Sequence, residues 1–138
     1  MDVGARYGLF GAFVFAVAWS IGPIAIAVLF TLLALQLAAG AVVVWHRTRL
    51  PFAASANLLS AIGFAAALFH VTKHGFAVQL NLATAIFVAS AIAGPALLAI
   101  ESDVHAREWS VWREHLKKSS LIDILLGRHI PRLRDNRI

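Results

Sequence analysis

The chain contains no cysteine, which excludes disulfides, thiolate metal sites, cysteine-ligated iron–sulfur clusters and S-palmitoylation. Charge is scarce too. Asp, Glu, Lys and Arg make up 14% of the 138 residues, against about 25% in an ordinary soluble domain. Hydrophobic residues make up 60%, and mean hydropathy is +0.79. The scarcity is local: residues 7–46, 50–72 and 74–100 form uncharged runs of 40, 23 and 27 residues. A soluble globular fold cannot be built from such runs without exposing them to water.

A hydrocarbon core about 30 Å thick is crossed by roughly 20 helical residues, so the second and third runs each fit one span. As one helix, the first run would be about 60 Å long, and it must therefore turn back. Gly22 and Pro23 interrupt it at Ser20-Ile21-Gly22-Pro23, and proline suits a first helical position. The expectation is an all-α polytopic membrane protein, a four-transmembrane-helix bundle. Its spans fall at about 7–20, 23–45, 51–72 and 77–100, and a tail at 101–138 follows. Four spans leave no room for a separate soluble catalytic domain. Two alternatives exist for the short first segment. A cleaved signal peptide would have a weak positive flank, because Asp2 offsets Arg6. A re-entrant loop would change the helix parity.

Parity decides the orientation. With four spans, Arg6, Arg47, Arg49 and the eight Lys and Arg of the tail share one side, 11 of the 12 cations, leaving Lys73 opposite. Cationic residues favour the cytoplasmic side of short loops, so both termini are expected in the cytoplasm, with the chain in the plasma (inner) membrane. The net charge of +5 and pI of about 10.8 are the same topological bias, which also attracts anionic lipid. Nucleic acid is not an expected partner.

Within lipid, helices associate through small residues and interhelical hydrogen bonds. Small-residue rows occur at Ala34 and Ala38, at Ala61 and Ala65 with Gly63 and Ala67, and at Ala85, Ala89 and Ala93. The polar residues at depth are Gln36, Asn57, Ser60, Thr84 and Ser90. Gln36 and Asn57 fall at similar depth and are expected to bond across helices, at about 0.6–2 kcal/mol. Gly94-Pro95 is expected to kink the fourth span. No ionisable group lies at the centre of a span, whereas coupled carriers normally keep one there.

His70 and His74 sit at i and i+4, one helix face apart. With Trp19, Gln79, Asn81 and Thr84 at the same end, they form the one candidate polar pocket, able to receive a quinone headgroup, a metal ion or a haem propionate. The third ligand and the glutamate of a zinc helix are missing, so no metal is expected. His46 and His70 fall at opposite ends and cannot share a haem iron. No cofactor is expected, with quinone or haem near His70 and His74 as the alternative.

In the tail, Ser102-Asp103 is expected to cap a helix to about Lys118, continuous with the fourth span, with Asp103–Arg107 and Glu114–Lys118 pairs. His105, Trp109, Trp112 and Leu116 share one side, with Arg107, Ser110, Glu114, Lys117 and Lys118 opposite. With Arg113, Lys117 and Lys118 as its cations, this helix suits the membrane surface or a groove on a partner. Ser120-Leu121-Ile122-Asp123 reads as a second helix start and Gly127 as its stop, followed by an extended arm from Arg128 to Ile138. No catalytic constellation emerges. The expected function is a non-catalytic accessory or structural subunit that packs into a larger membrane complex. The alternatives are a homo-oligomeric channel or transporter, the hole-forming type included, and a redox anchor.

Overall fold

The computed structural model describes residues 3–126 and 128–132, with the side chains of those residues other than 3–5 and 121. Among them the chain is helical throughout, with no strand: α1 Val3–Ile21, α2 Pro23–Thr48, α3 Pro51–His74, α4 Leu82–Val104, α5 Ala106–Lys117 and α6 Leu121–Leu125. Gly127, the expected stop of the last helix, and residues 133–138 of the expected arm lie outside the described residues. Three helices, α2, α3 and α4, are long and apolar enough to cross a membrane, which is compatible with a multi-pass membrane protein. The first segment is a shorter apolar helix, Arg6–Ile21.

Local chemistry sets most of these boundaries. Pro23 and Pro51 both start their helices, where the missing N–H costs nothing. Gly22 takes φ 137° in the first turn, and Arg49 turns α2 into α3 with φ 55°. The helix expected from about Ala77, α4, starts at Leu82 instead, because Asn81 caps it. The Asn81 side chain accepts from the Thr84 N–H, and the Thr84 hydroxyl accepts from the Asn81 N–H. Residues 75–81 are thereby released as a connection.

The central helix is α3, packed against α2 on one side and α4 on the other, while α1 lies chiefly against α2. Along α3 the inward positions are Ala53, Ala56, Ser60, Gly63, Ala67 and His70, buried except for the half-buried Ser60. Their alternating steps of three and four match the spacing of antiparallel bundles. A Cβ on Gly63 would lie 2.7 Å from Ser90 Cβ, and one on Gly94 would lie 3.2 Å from Ser60 Oγ. The helices α3 and α4 are therefore in backbone-close contact. A row of rings, Phe15, Phe30, Phe64 and Phe87, crosses α1 to α4 with successive centroids 6.4, 5.5 and 6.0 Å apart.

The expected small-residue rows are kept in part: Ala61, Gly63 and Ala67 are buried. Ala65, Ala85 and Ala89 face outward, and the close contacts run through Gly63, Ser90, Ser60 and Gly94. A strict four-residue spacing drifts around a helix, whereas the alternating spacing stays on one face. The Gln36–Asn57 pair does not form. Gln36 donates to the Leu125 carbonyl at 3.4 Å, and Asn57 lies against Gly40. Pro95 sits inside α4 and is exposed.

The tail departs from expectation at its start. Ser102 does not cap a new helix; its hydroxyl bonds back to the Ala99 carbonyl at 2.8 Å, and α4 continues to Val104. The chain then bends at His105 (φ −120°, ψ 52°), so α5 is not continuous with α4. The Asp103–Arg107 pair is not formed among the described residues, and Glu114 pairs with Lys117 at 3.1 Å rather than with Lys118. The Ser120 start does form, as a capping box with Asp123.

Replacing Gly63 by alanine should destabilise the fold by about 1–3 kcal/mol through overpacking against Ser90, with most of the loss recovered by adding Ser90→Gly. Gly8→Ala, where nothing lies within 4 Å, should be neutral or stabilising by up to about 1 kcal/mol through helix propensity. Thermal unfolding in detergent micelles separates the three variants.

Candidate functional site

Charged and polar groups gather at the two ends of the helix array. At the tail end, α3 begins Leu50-Pro51-Phe52-Ala53 with no side chain able to cap it. The missing acceptor comes from α4. Glu101, fully buried, accepts a hydrogen bond from the Ala53 N–H through Oε2 at 2.9 Å. Its Oε1 is hydrogen-bonded and ion-paired with His105 Nδ1. A carboxylate on an orphan N–H at a helix N-terminus also meets the positive end of the helix dipole.

The tail then folds onto the same end. Trp112 is buried with Val44, Leu50, Ala53 and Ile130, and Trp109 and Leu116 pack against that cluster. The apolar stripe expected to meet a membrane or a partner is thus spent largely on the chain itself. Arg113, Lys117 and Lys118 remain exposed. The chain continues along the foot of α1 and α2. The Tyr7 hydroxyl donates to the Ser119 carbonyl at 2.8 Å, Gln36 donates to Leu125, and Arg47 donates to the Ile130 carbonyl at 3.2 Å.

The neighbouring His129 is half-buried, with Nδ1 unpartnered and its ring 6.1 Å from the Trp112 ring. Burial first, and then the charges of His115 and Arg47, hold its pKa below the usual 6.5. The sequence gives no hint of this environment, because burial of His129 depends on where Ile130 docks.

At the far end the expected polar cluster is brought together in part. His70 is buried; its Nε2–H donates to the Ala77 carbonyl at 2.7 Å, and its Nδ1 accepts from the Asn81 amide at 3.2 Å. The tautomer follows from the carbonyl, which only accepts. The Thr84 hydroxyl donates to the Gln79 carbonyl at 2.8 Å. His74 is exposed, its ring 5.1 Å from that of His70. Trp19 stacks on Phe76 at 3.9 Å and 12°. His70, Asn81 and Thr84 therefore form a closed knot that ties the 75–81 connection to α3, with both ring nitrogens of His70 engaged. No group of three or more His, Cys, Asp or Glu that could hold a metal occurs among the described residues.

Between the two ends lies an apolar cavity of about 830 Å³, bounded by α1, α2, α3, the 75–78 connection, the start of α4 and α6. Tyr7 and Gln36 line it at one end and Trp19, His70 and Thr84 at the other. The remaining expected polar residues do not converge: Asn57 lies against Gly40, and Ser60 against Gly94. Within one chain they line no common path.

Comparison with protein-family models, with curated proteins and with solved structures finds no match to this chain. Its function must be argued from its own residues.

Two outcomes test the tail-end geometry. Glu101→Ala leaves the Ala53 N–H and His105 without their partner, at a cost of about 1.5–3 kcal/mol. It should also raise amide exchange in α5 and the first turn of α3, while Glu101→Gln, which keeps an acceptor, should cost less. The second outcome concerns pH. A histidine whose pKa is lowered by docking favours the docked tail while neutral, and the released tail binds the proton near 6.5. Docking should be strongest above that pH and weaken as pH falls below it. Tryptophan emission should shift to the red on acidification, and this shift should be reduced in His129→Gln.

Proposed function

We propose that the protein is a small, non-catalytic integral-membrane accessory subunit that packs beside a larger membrane protein. In this reading α1 is the fourth membrane segment of a four-helix bundle, and both termini face the cytoplasm of the plasma (inner) membrane. The bias of 11 of 12 cations to one side supports this orientation.

The observation that carries the proposal is the unequal use of α4. Its Ser90, Gly94 and Glu101 face is buried against α3, while Ala85, Ala89, Ile92, Ala96 and Ala99, recurring at steps of four and three, stay exposed on another face. A small-residue face of this kind allows a further helix to approach closely. Beside it, the docked tail leaves Arg113, Lys117 and Lys118 exposed, a basic rim at the cytoplasmic edge.

The alternatives draw less support. A neutral pore needs Gln36, Asn57, Ser60 and Thr84 to share a lumen, whereas Gln36 and Thr84 lie at opposite ends of the apolar cavity and Asn57 and Ser60 lie outside it, against Gly40 and Gly94. A redox anchor at His70 needs a free ring nitrogen, and both are hydrogen-bonded.

Affinity purification in mild detergent after membrane crosslinking should recover a defined partner of different sequence. Ala89→Trp should abolish that recovery without lowering the chain's own thermal stability. Recovery of copies of the chain alone would overturn the accessory reading in favour of a homomer, as would a stable monomer with nothing attached. A reporter fused after Ile138 should read cytoplasmic.

A further inference from the structure

We propose that the cavity between α1 and the α2–α3 pair is a binding site for one hydrocarbon chain of a bilayer phospholipid, with the headgroup outside it near Lys73 and His74. The inference rests on the membrane reading above and adds a ligand to it.

The size and chemistry of the cavity select the occupant. Its volume of about 830 Å³ falls within the range of about 300–1,000 Å³ typical of ligand sites. No Asp, Glu, Lys or Arg lines it, and its wall is almost wholly apolar. Most of the polar groups at its ends, the Trp19 indole apart, are already committed. Tyr7 donates to Ser119, Gln36 to Leu125, Thr84 to Gln79, and both His70 nitrogens are engaged. A polar headgroup placed inside would lose its water and gain few partners, whereas a hydrocarbon chain needs none.

Its length fits as well. Tyr7 and Trp19 mark its two ends along α1, and twelve helical steps span about 18 Å. That is close to one leaflet of a core about 30 Å thick. At the tail end, Ile124 and Leu125 of α6 form part of the wall. At the far end the rim is Gly75 and Phe76, directly after the exposed Lys73 and His74 in the last turn of α3. Basic side chains there suit a phosphate.

Gly11 lies within α1 and lines the cavity, and a Cβ built on it meets nothing within 4 Å, so a larger side chain placed there would extend into open volume.

The test uses the full chain in nanodiscs of phosphatidylglycerol carrying a mid-chain diazirine, with adducts mapped by mass spectrometry. Adducts should concentrate severalfold on Val14, Leu29 and Leu33 relative to the outward Val88 and Ile92 of α4. Native mass spectrometry after exchange into detergent should show one retained phospholipid. Gly11→Leu, whose Cβ has nothing within 4 Å, should keep the helical spectrum and thermal stability but lose the retained lipid and the cavity adducts. Evenly spread adducts, retention unchanged in Gly11→Leu, or recovery of an isoprenoid quinone in place of phospholipid would each overturn the proposal. Failure of the chain to enter nanodiscs at all would overturn the membrane reading, and this site with it.

Discussion

The rest of the structure hangs on one buried carboxylate. The helix α3 starts without a capping side chain, and in an apolar setting an uncapped first turn leaves N–H groups with no water to turn to. Glu101 supplies the acceptor from the end of α4. That bond fixes more than a helix end. It sets the antiparallel register of α3 and α4, which then brings Ser60 against Gly94, Gly63 against Ser90, and His70 within reach of Asn81. Through His105 it also holds the bend from which α5 returns over the α2–α3 turn.

Packing quality is accordingly uneven. Of the largest fully buried side chains, Val44, Thr48, Leu50 and Glu101 lie at the tail end, near Trp112 and Ile130, while Ile26 lies with Ala18 near the α1–α2 turn. Along α1 the chain is loosely held: α1 meets the remaining helices mainly through α2 and around Ala18, and the cavity separates much of its length from α3. Two different kinds of cohesion are at work. Close backbone approach, with hydrogen-bonded ends, joins α2, α3 and α4, whereas α1 is held by ring contacts such as Phe15–Phe30 and Trp19–Phe76 and by the Tyr7 hydrogen bond to the tail.

Much of the architecture was legible in residue order, because the signals are local. Uncharged runs delimit the helices, Pro23 and Pro51 start two of them, and Ser120 with Asp123 starts the last. The cluster of His70, Asn81 and Thr84 was also legible as a group, since all three fall at one end of adjacent helices. What sequence did not reveal depends on tertiary contact. Glu101 reads as the first charge after a span, and only the bare start of α3 hints that an acceptor is needed there. Ser102-Asp103 resembles a cap, but Glu101 pulls the preceding helix onward past it. The Trp109–Trp112 stripe has the periodicity of a surface helix, and nothing in that periodicity tells a membrane or a partner from the chain's own α2–α3 turn.

This last ambiguity bears most on function. A tail free to reach outward would be the natural place for a partner. Instead its indoles are drawn into the molecule, and its carbonyls at Ser119, Leu125 and Ile130 accept bonds from Tyr7, Gln36 and Arg47. Tyr7 and Gln36 lie at similar distances from the α1–α2 turn, so the short α1 ends about half-way down α2. The tail segment from Ser119 to Ile130 occupies the space below it. The C-terminal region thus completes the bundle that the short first helix leaves unfinished, and in doing so forms part of the wall of the apolar cavity. The surfaces still open include the outward face of α4, apolar side chains along α1 and α2, and cations of α5. In the reading proposed above, an assembly built on this chain would grip it from the side more than from below.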